Sequence, residues 1–244
     1  MSEKFKPSFH EINYASGLNI KTFDIDKYLC FEAYFSKEGP NFERIKLIPN
    51  ILDPKLTWLE IIKKIRYIHI LFEDISEKYN TEISGMIQYP FKEHTESIIF
   101  HMKTAIDMQV QLASLETDYD SIINNHKFNI DSFGKVLGLD ASSSALKKII
   151  CGGDCFEKDN TNFLTILNNL FNSIKHCSLH SEAYSQYGID SPTVVTLYVK
   201  DNNFGNEIEY HNHYLFQLII GFDNNVRRIF RNMRLYQEVN GNDE

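Results

Sequence analysis

The stretch Thr161 to His180, T-N-F-L-T-I-L-N-N-L-F-N-S-I-K-H-C-S-L-H, decides the fold class. Phe163, Leu164, Ile166, Leu167, Leu170, Phe171, Ile174 and Cys177 recur with helical spacing. At about 100° per residue they gather on one side of a helix. Asn169, Asn172 and His176 fall on the other side, with Asn168 and Lys175 beside them. That polar stripe has amides, a lysine and a histidine but no carboxylate, an unusual make-up for a solvated face. Its plain alternative is ordinary solvent exposure.

Working outward, the same period marks three further long helices. From about Pro54 to Tyr79, Trp58, Ile61, Ile62, Ile65, Ile68, Leu71, Phe72 and Ile75 form one stripe, and Asp53-Pro54 supplies a helix start. From about Glu93 to Glu116 the stripe is Ile98, Ile99, Met102, Ala105, Ile106, Gln109, Leu112 and Ala113, with Gln109 read as a helix end or rim. From about His213 to Tyr236 it is Leu215, Leu218, Ile219, Phe222, Val226, Ile229, Phe230 and Met233. Asp118 to Asn129 reads as a loop or short helix. A weaker helical piece lies between Ile130 and Asp140. Ser142 to Ile150 is a short helix ended by Cys151-Gly152-Gly153.

The pattern changes once. Thr193 to Val199 is a β-branched run, Asp201 to Asn206 is turn chemistry, and Glu207 to Tyr210 returns as a second strand. Long amphipathic helices must bury their stripes against one another. The expected fold is therefore mainly α: a bundle of four long helices with a peripheral β-hairpin near 193–210. Residues 1–54 are expected as a mixed extension packed on the bundle, and 55–240 as the helical domain.

Composition narrows the function. The chain of 244 residues carries a formal net charge of −8. Broad nucleic-acid binding surfaces are usually basic, so any such contact must be local. The start M-S-E-K-F-K-P is followed by no apolar run, and no apolar stretch approaches the roughly 20 residues of a membrane span. A soluble, cytoplasmic protein with no membrane contact is expected. Cys30, Cys151, Cys155 and Cys177 are too scattered for a disulfide framework and are expected to be reduced. Phosphate-loop, dinucleotide, serine-hydrolase and zincin motifs are absent. The cysteines and histidines form no complete four-ligand pattern, and neither a metal nor a cofactor is expected.

The candidate chemistry sits in F-N-S-I-K-H, Phe171 to His176. Asn172 and His176 are i and i+4 and so neighbours on one helix face. Histidine, with a reference pKa near ~6.5, serves as a general acid or base, and the amide can orient it or contact a phosphate oxygen. This stretch resembles the signature of the HEPN superfamily: an arginine, four to six residues, then a histidine, with a polar residue often following the arginine. Asn172 matches that polar residue and His176 the histidine. Phe171 stands where the arginine should be.

The resemblance implies a helical bundle, a homodimer whose motif helices face each other, and metal-independent RNA cleavage in defence or toxin–antitoxin systems. It would make His176 the acid or base, Asn172 its phosphate-contacting neighbour and Lys175 a stand-in cation. Phe171 departs from the pattern, because a phenyl ring cannot grip a phosphate and a lysine lacks the planar fork of an arginine. A degenerate or divergent member follows. Further along, Arg227, Arg231 and Arg234 share a face of the last helix, a candidate phosphate or RNA strip, or else cations that complement the helix C-terminus. RNA and a protein partner are the two candidate ligands, the latter implying a non-enzymatic interaction module.

Overall fold

The computed structural model describes residues 8–14, 18, 20, 22–29, 39–81, 90–139, 144–175, 182–184, 192–199 and 208–240. Their elements are β1 (Ser8–His10), a 3-10 turn (Ile25–Lys27), α1 (Pro54–Thr81), α2 (Pro90–Asn125), α3 (Phe133–Leu137), α4 (Ala145–Cys151), α5 (Phe163–Lys175), β2 (Glu182–Tyr184), β3 (Thr193–Val199), β4 (Ile208–Tyr214) and α6 (Leu215–Asn240). The fold is mainly helical, and the expected hairpin is β3 with β4, at its periphery.

The helices start where side chains can satisfy their first amides. Asp53 Oδ1 accepts from the amides of Lys55 and Leu56 at the head of α1. Ser144 Oγ accepts from Lys147 N at the head of α4, and α4 ends on Gly152, whose φ of 84° suits a residue without a side chain. The stripe of α1 is buried as the periodicity requires, from Trp58 through Ile75, with Leu71 partly covered. α2 packs on α1, α4, α5 and α6, so it is the axis of the bundle.

α2 runs past its expected end. Asp118 (φ −145°, ψ 25°) kinks it, and the helix then continues to Asn125 through residues expected as a loop or short helix. Gln109 is no rim residue: it is fully buried in mid-helix, and its Nε2 donates to Val226 O of α6 at 3.0 Å. The donor is served because a helix carbonyl has a second lone pair, whereas Gln109 Oε1 has no hydrogen-bond partner among the described residues.

The hairpin is the middle of a four-stranded sheet ordered β1-β4-β3-β2. β1 runs parallel to β4, with His10 opposite His211. β2 and β4 flank β3 antiparallel, with Thr196 opposite His211. β4 extends to Tyr214, so His213 lies in a strand and not at the start of the last helix. Ile12, Ile20, Ile25, Leu29, Ile45 and Ile48 are buried in the same core as the helices. Among the described residues, no helix is long and apolar enough to cross a membrane.

Candidate functional site

α5 carries Phe171 to Lys175 of the motif stretch. Phe163, Leu164, Ile166, Leu167 and Leu170 are buried, as the stripe predicts. Phe171 is half-buried, its ring 6.2 Å from that of Phe100. Lys103 of α2 sits beneath it: Nζ lies 5.4 Å from the Phe171 ring, 4.4 Å from the Phe133 ring and 2.5 Å from Asp107 Oδ2. A cation beside the Phe171 ring thus comes from another helix and is nearly buried.

The polar side of α5 is not one exposed stripe. Asn169 is buried, and its Nδ2 donates to Glu209 Oε2 of β4 at 2.8 Å. Ser173 Oγ donates to Asn169 O at 2.9 Å and lies 3.4 Å from Leu197 O of β3. Asn168 faces α3, where a Cβ on Gly134 would come within 2.9 Å of its Oδ1. The carboxylate missing from the helix is supplied by the sheet. Asn172 is half-buried and Lys175 exposed, in the last turns of α5. His176, the proposed acid or base, lies outside the described residues, as do Cys177 and His180.

The three candidate arginines among the four of α6 are each joined to carboxylates of this chain. Arg227 Nε donates to Asp223 Oδ2 at 2.9 Å and Nη2 to Tyr28 O at 3.2 Å. Arg231 forks onto both oxygens of Glu157 at 2.9 and 2.7 Å, which holds that carboxyl below its usual range. Arg234 donates to Glu238 Oε1 at 2.8 Å. Their buried neighbour Arg228 donates to Ile150 O, Glu157 O and Asn225 Oδ1.

A second constellation surrounds Glu209. On a strand, residues i, i+2 and i+4 share a face, so Glu209, His211 and His213 point the same way. His211 and His213 are fully buried, and β1 adds His10, whose ring stacks on His211 at 5.0 Å. Oε2 of Glu209 lies 3.6 Å from His10 Nε2 and 3.5 Å from His211 Nε2. His213 Nδ1 accepts from Ile12 N at 3.2 Å, and His213 Nε2 is 3.2 Å from His211 Nδ1.

The tautomers follow from one fixed donor. A backbone N–H can only donate, so His213 Nδ1 is the lone pair and the proton of neutral His213 is on Nε2. That proton points at His211 Nδ1, which leaves the proton of neutral His211 on Nε2, facing Glu209. Burial keeps both rings neutral: it lowers the His211 pKa to about 4 and that of His213 to about 3, with neighbouring imidazoles adding to the effect. His211 Nε2–H is still poorly served, since 3.5 Å to Glu209 is long for a hydrogen bond and it has no other partner among the described residues. A metal at that nitrogen would need the opposite tautomer and would break the chain back to Ile12. The nearly parallel His10 and His211 rings, 17° apart, also aim their in-plane lone pairs poorly at one point. Among the described residues no group of three or more His, Cys, Asp or Glu is placed to hold a metal ion.

Sequence reasoning passed over this cluster because the histidines were tested as metal ligands and the last helix was expected to begin at about His213. The alternation E-Y-H-N-H was the available signal. No family model, curated protein or solved structure matches the chain.

Proposed function

We propose that the chain is a HEPN-like helical module of the nucleic-acid-associated, defence or toxin–antitoxin type, cytoplasmic and homodimeric, whose motif has lost its cleaving cation. Phe171 carries this reading. Where the motif calls for an arginine, α5 has a half-buried ring near Phe100, and Lys103 beneath that ring is already paired with Asp107. Neither can fork onto a phosphate as a guanidinium does. Lys175 is a point charge on the last turn. RNA would contact the Arg227, Arg231 and Arg234 strip only by competing with Asp223, Glu157 and Glu238 for it.

The test is RNA cleavage and RNA binding by wild type and His176→Ala, with and without EDTA. The reading expects no cleavage by either protein and salt-sensitive binding that weakens in Arg231→Ala. EDTA-resistant cleavage that disappears in His176→Ala would establish a metal-independent ribonuclease instead. Absence of both binding and cleavage would overturn the nucleic-acid reading.

A second reading, a non-enzymatic protein-interaction module, is favoured by one observation. Leu56, Leu59, Tyr67 and Ile70 are large apolar side chains exposed along one side of α1. A protein partner retained by wild type and lost on Leu59→Glu, without RNA binding, would support it.

A further inference from the structure

We propose that the His213–His211 pair is a proton-sensitive latch that holds β1 and the residues after it on the edge of β4. The latch does not rest on the functional reading above. Its geometry has one path and one direction. Ile12 N–H donates to His213 Nδ1, and the His213 Nε2 proton faces His211 Nδ1. A proton added to His213 can go only on Nδ1, where it abolishes the acceptor for Ile12 N–H and sets two donors against each other. A proton added to His211 goes on Nδ1 and opposes the His213 Nε2 proton in the same way. Either event breaks the side-chain tie at Ile12 and leaves the β1–β4 pairing over Ser8–His10 to hold the segment alone.

The surroundings decide the sign. Among the described residues, the charged or titratable groups at ion-pair or ring-contact distance are His10 from β1 and Glu209 from β4. The other elements packed here contribute uncharged groups: Val194 and Thr196 of β3, opposite His213 and His211, Asn169 of α5, which holds Glu209, and Gln217 of α6, whose Oε1 accepts from Tyr14 N. Glu209 favours a proton on His211, but full burial of both rings opposes it, and His10 adds a repelling charge when protonated. The rings are therefore neutral in the latched state and ordinary histidines once β1 lifts. A histidine with a depressed pKa in the closed state loses its contribution as pH falls below the open-state value of about 6.5. Acid opens the latch. Glu209, held by Asn169 of α5, then loses His10 of β1 as its neighbour.

The experiment is amide hydrogen exchange of the full chain from pH 7.5 to 5, corrected for intrinsic exchange. Ile12 reports the latch, and Ile106 and Ile219 report the core. The proposal expects Ile12 protection to fall by at least about tenfold over this range, while the core amides hold. In His213→Gln, the amide oxygen can accept from Ile12 N–H and the amide nitrogen can donate to His211, but the group cannot be protonated. The pH dependence at Ile12 should shrink in that variant. Constant Ile12 protection, parallel loss at the core, or an unchanged slope in His213→Gln would each overturn the latch. Should His213→Gln not fold, the wild-type ring resonances decide: His213 or His211 must titrate in step with Ile12 opening, and two rings that both stay neutral while Ile12 opens overturn the proposal.

Discussion

Asn169 of α5 and Glu209 of β4 are joined by a 2.8 Å hydrogen bond that ties the motif helix to the sheet. The bond is charge-assisted, and Asn169 is buried beneath the strand that accepts it. Asn169→Ala removes it and should cost about 1–2 kcal/mol in urea denaturation. Asn169→Asp should cost more at pH 7, because two carboxylates then face each other. The gap between the two variants should close as pH falls and one carboxyl takes a proton. Equal stabilities for Ala and Asp at pH 7 would mean that Glu209 does not face this position.

Arg228 contrasts with the arginines around it. It is 5% exposed and makes its hydrogen bonds to Ile150 O, Glu157 O and Asn225 Oδ1, so it joins α6 to the loop after α4. Arg228→Ala takes the donor from Ile150 O and Asn225 Oδ1, while Glu157 O keeps Asn232 Nδ2 at 3.0 Å, and should cost about 3 kcal/mol or more. Arg234→Ala, which breaks an exposed i,i+4 pair with Glu238, should change stability by less than about 0.5 kcal/mol. Chemical denaturation of both variants checks the contrast.

Gly221 lies where α6 receives the aromatic residues of two other segments. A Cβ there would sit 2.6 Å from carbons of both the Phe163 and Tyr14 rings. Tyr14 has little room to retreat. Thr161 Oγ1 gives its only proton to Asp159 Oδ1 and must accept from the Tyr14 hydroxyl at 2.6 Å. Gly221→Ala gains helix propensity of up to about 1 kcal/mol, yet the overpacking should outweigh it and destabilise the protein by about 1–3 kcal/mol. A thermal melt in which Gly221→Ala is more stable than wild type would show that the rings can move apart.

How far the residues announced this structure depends on what sets each element. The stripes of α1, α2, α5 and α6 were legible because burial imposes a 3.6-residue period over many turns. β3 was legible to its ends, because Thr193 to Val199 is β-branched and flanked by turn residues. β4 was legible only in part. Its second half, His211-Asn212-His213-Tyr214, has no β-branched residue, and its strand conformation comes from pairing with β3 throughout and with β1 at His211. β1 and β2 are three residues long and carry no period at all. Asn169 looked like part of a solvated stripe because the carboxylate that buries it lies forty positions further along the chain. Gln109 was misread for the same reason: its acceptor, Val226 O, belongs to another helix.

Lys103 and Asp107 give a prediction with a pH signature. The Lys103 side chain is 8% exposed, its Nζ is 2.5 Å from Asp107 Oδ2, and Asp107 Oδ1 accepts from Phe133 N at the head of α3. Burial pushes the Asp107 carboxyl up from its ordinary value, and the Lys103 ammonium and Phe133 N–H hold that rise in check. Lys103→Met keeps the stem packed against Phe133 and Phe171 but leaves a buried carboxylate without its cation. The cost at pH 7 should be about 3 kcal/mol or more. Without the ammonium the folded-state pKa of Asp107 rises further, so the folded variant binds a proton that the unfolded chain releases at the same pH. A carboxyl with a raised folded-state pKa gains stability as pH falls toward the unfolded value near ~3.9. The deficit of Lys103→Met relative to wild type should therefore shrink between pH 7 and 4.5 in parallel denaturation series. Asp107→Asn should show no such recovery, since it buries the Lys103 charge instead and has no carboxyl to protonate. A Lys103→Met deficit that stays constant over that range would show that Asp107 remains ionised without its partner, solvated by water reaching the α2–α3 junction.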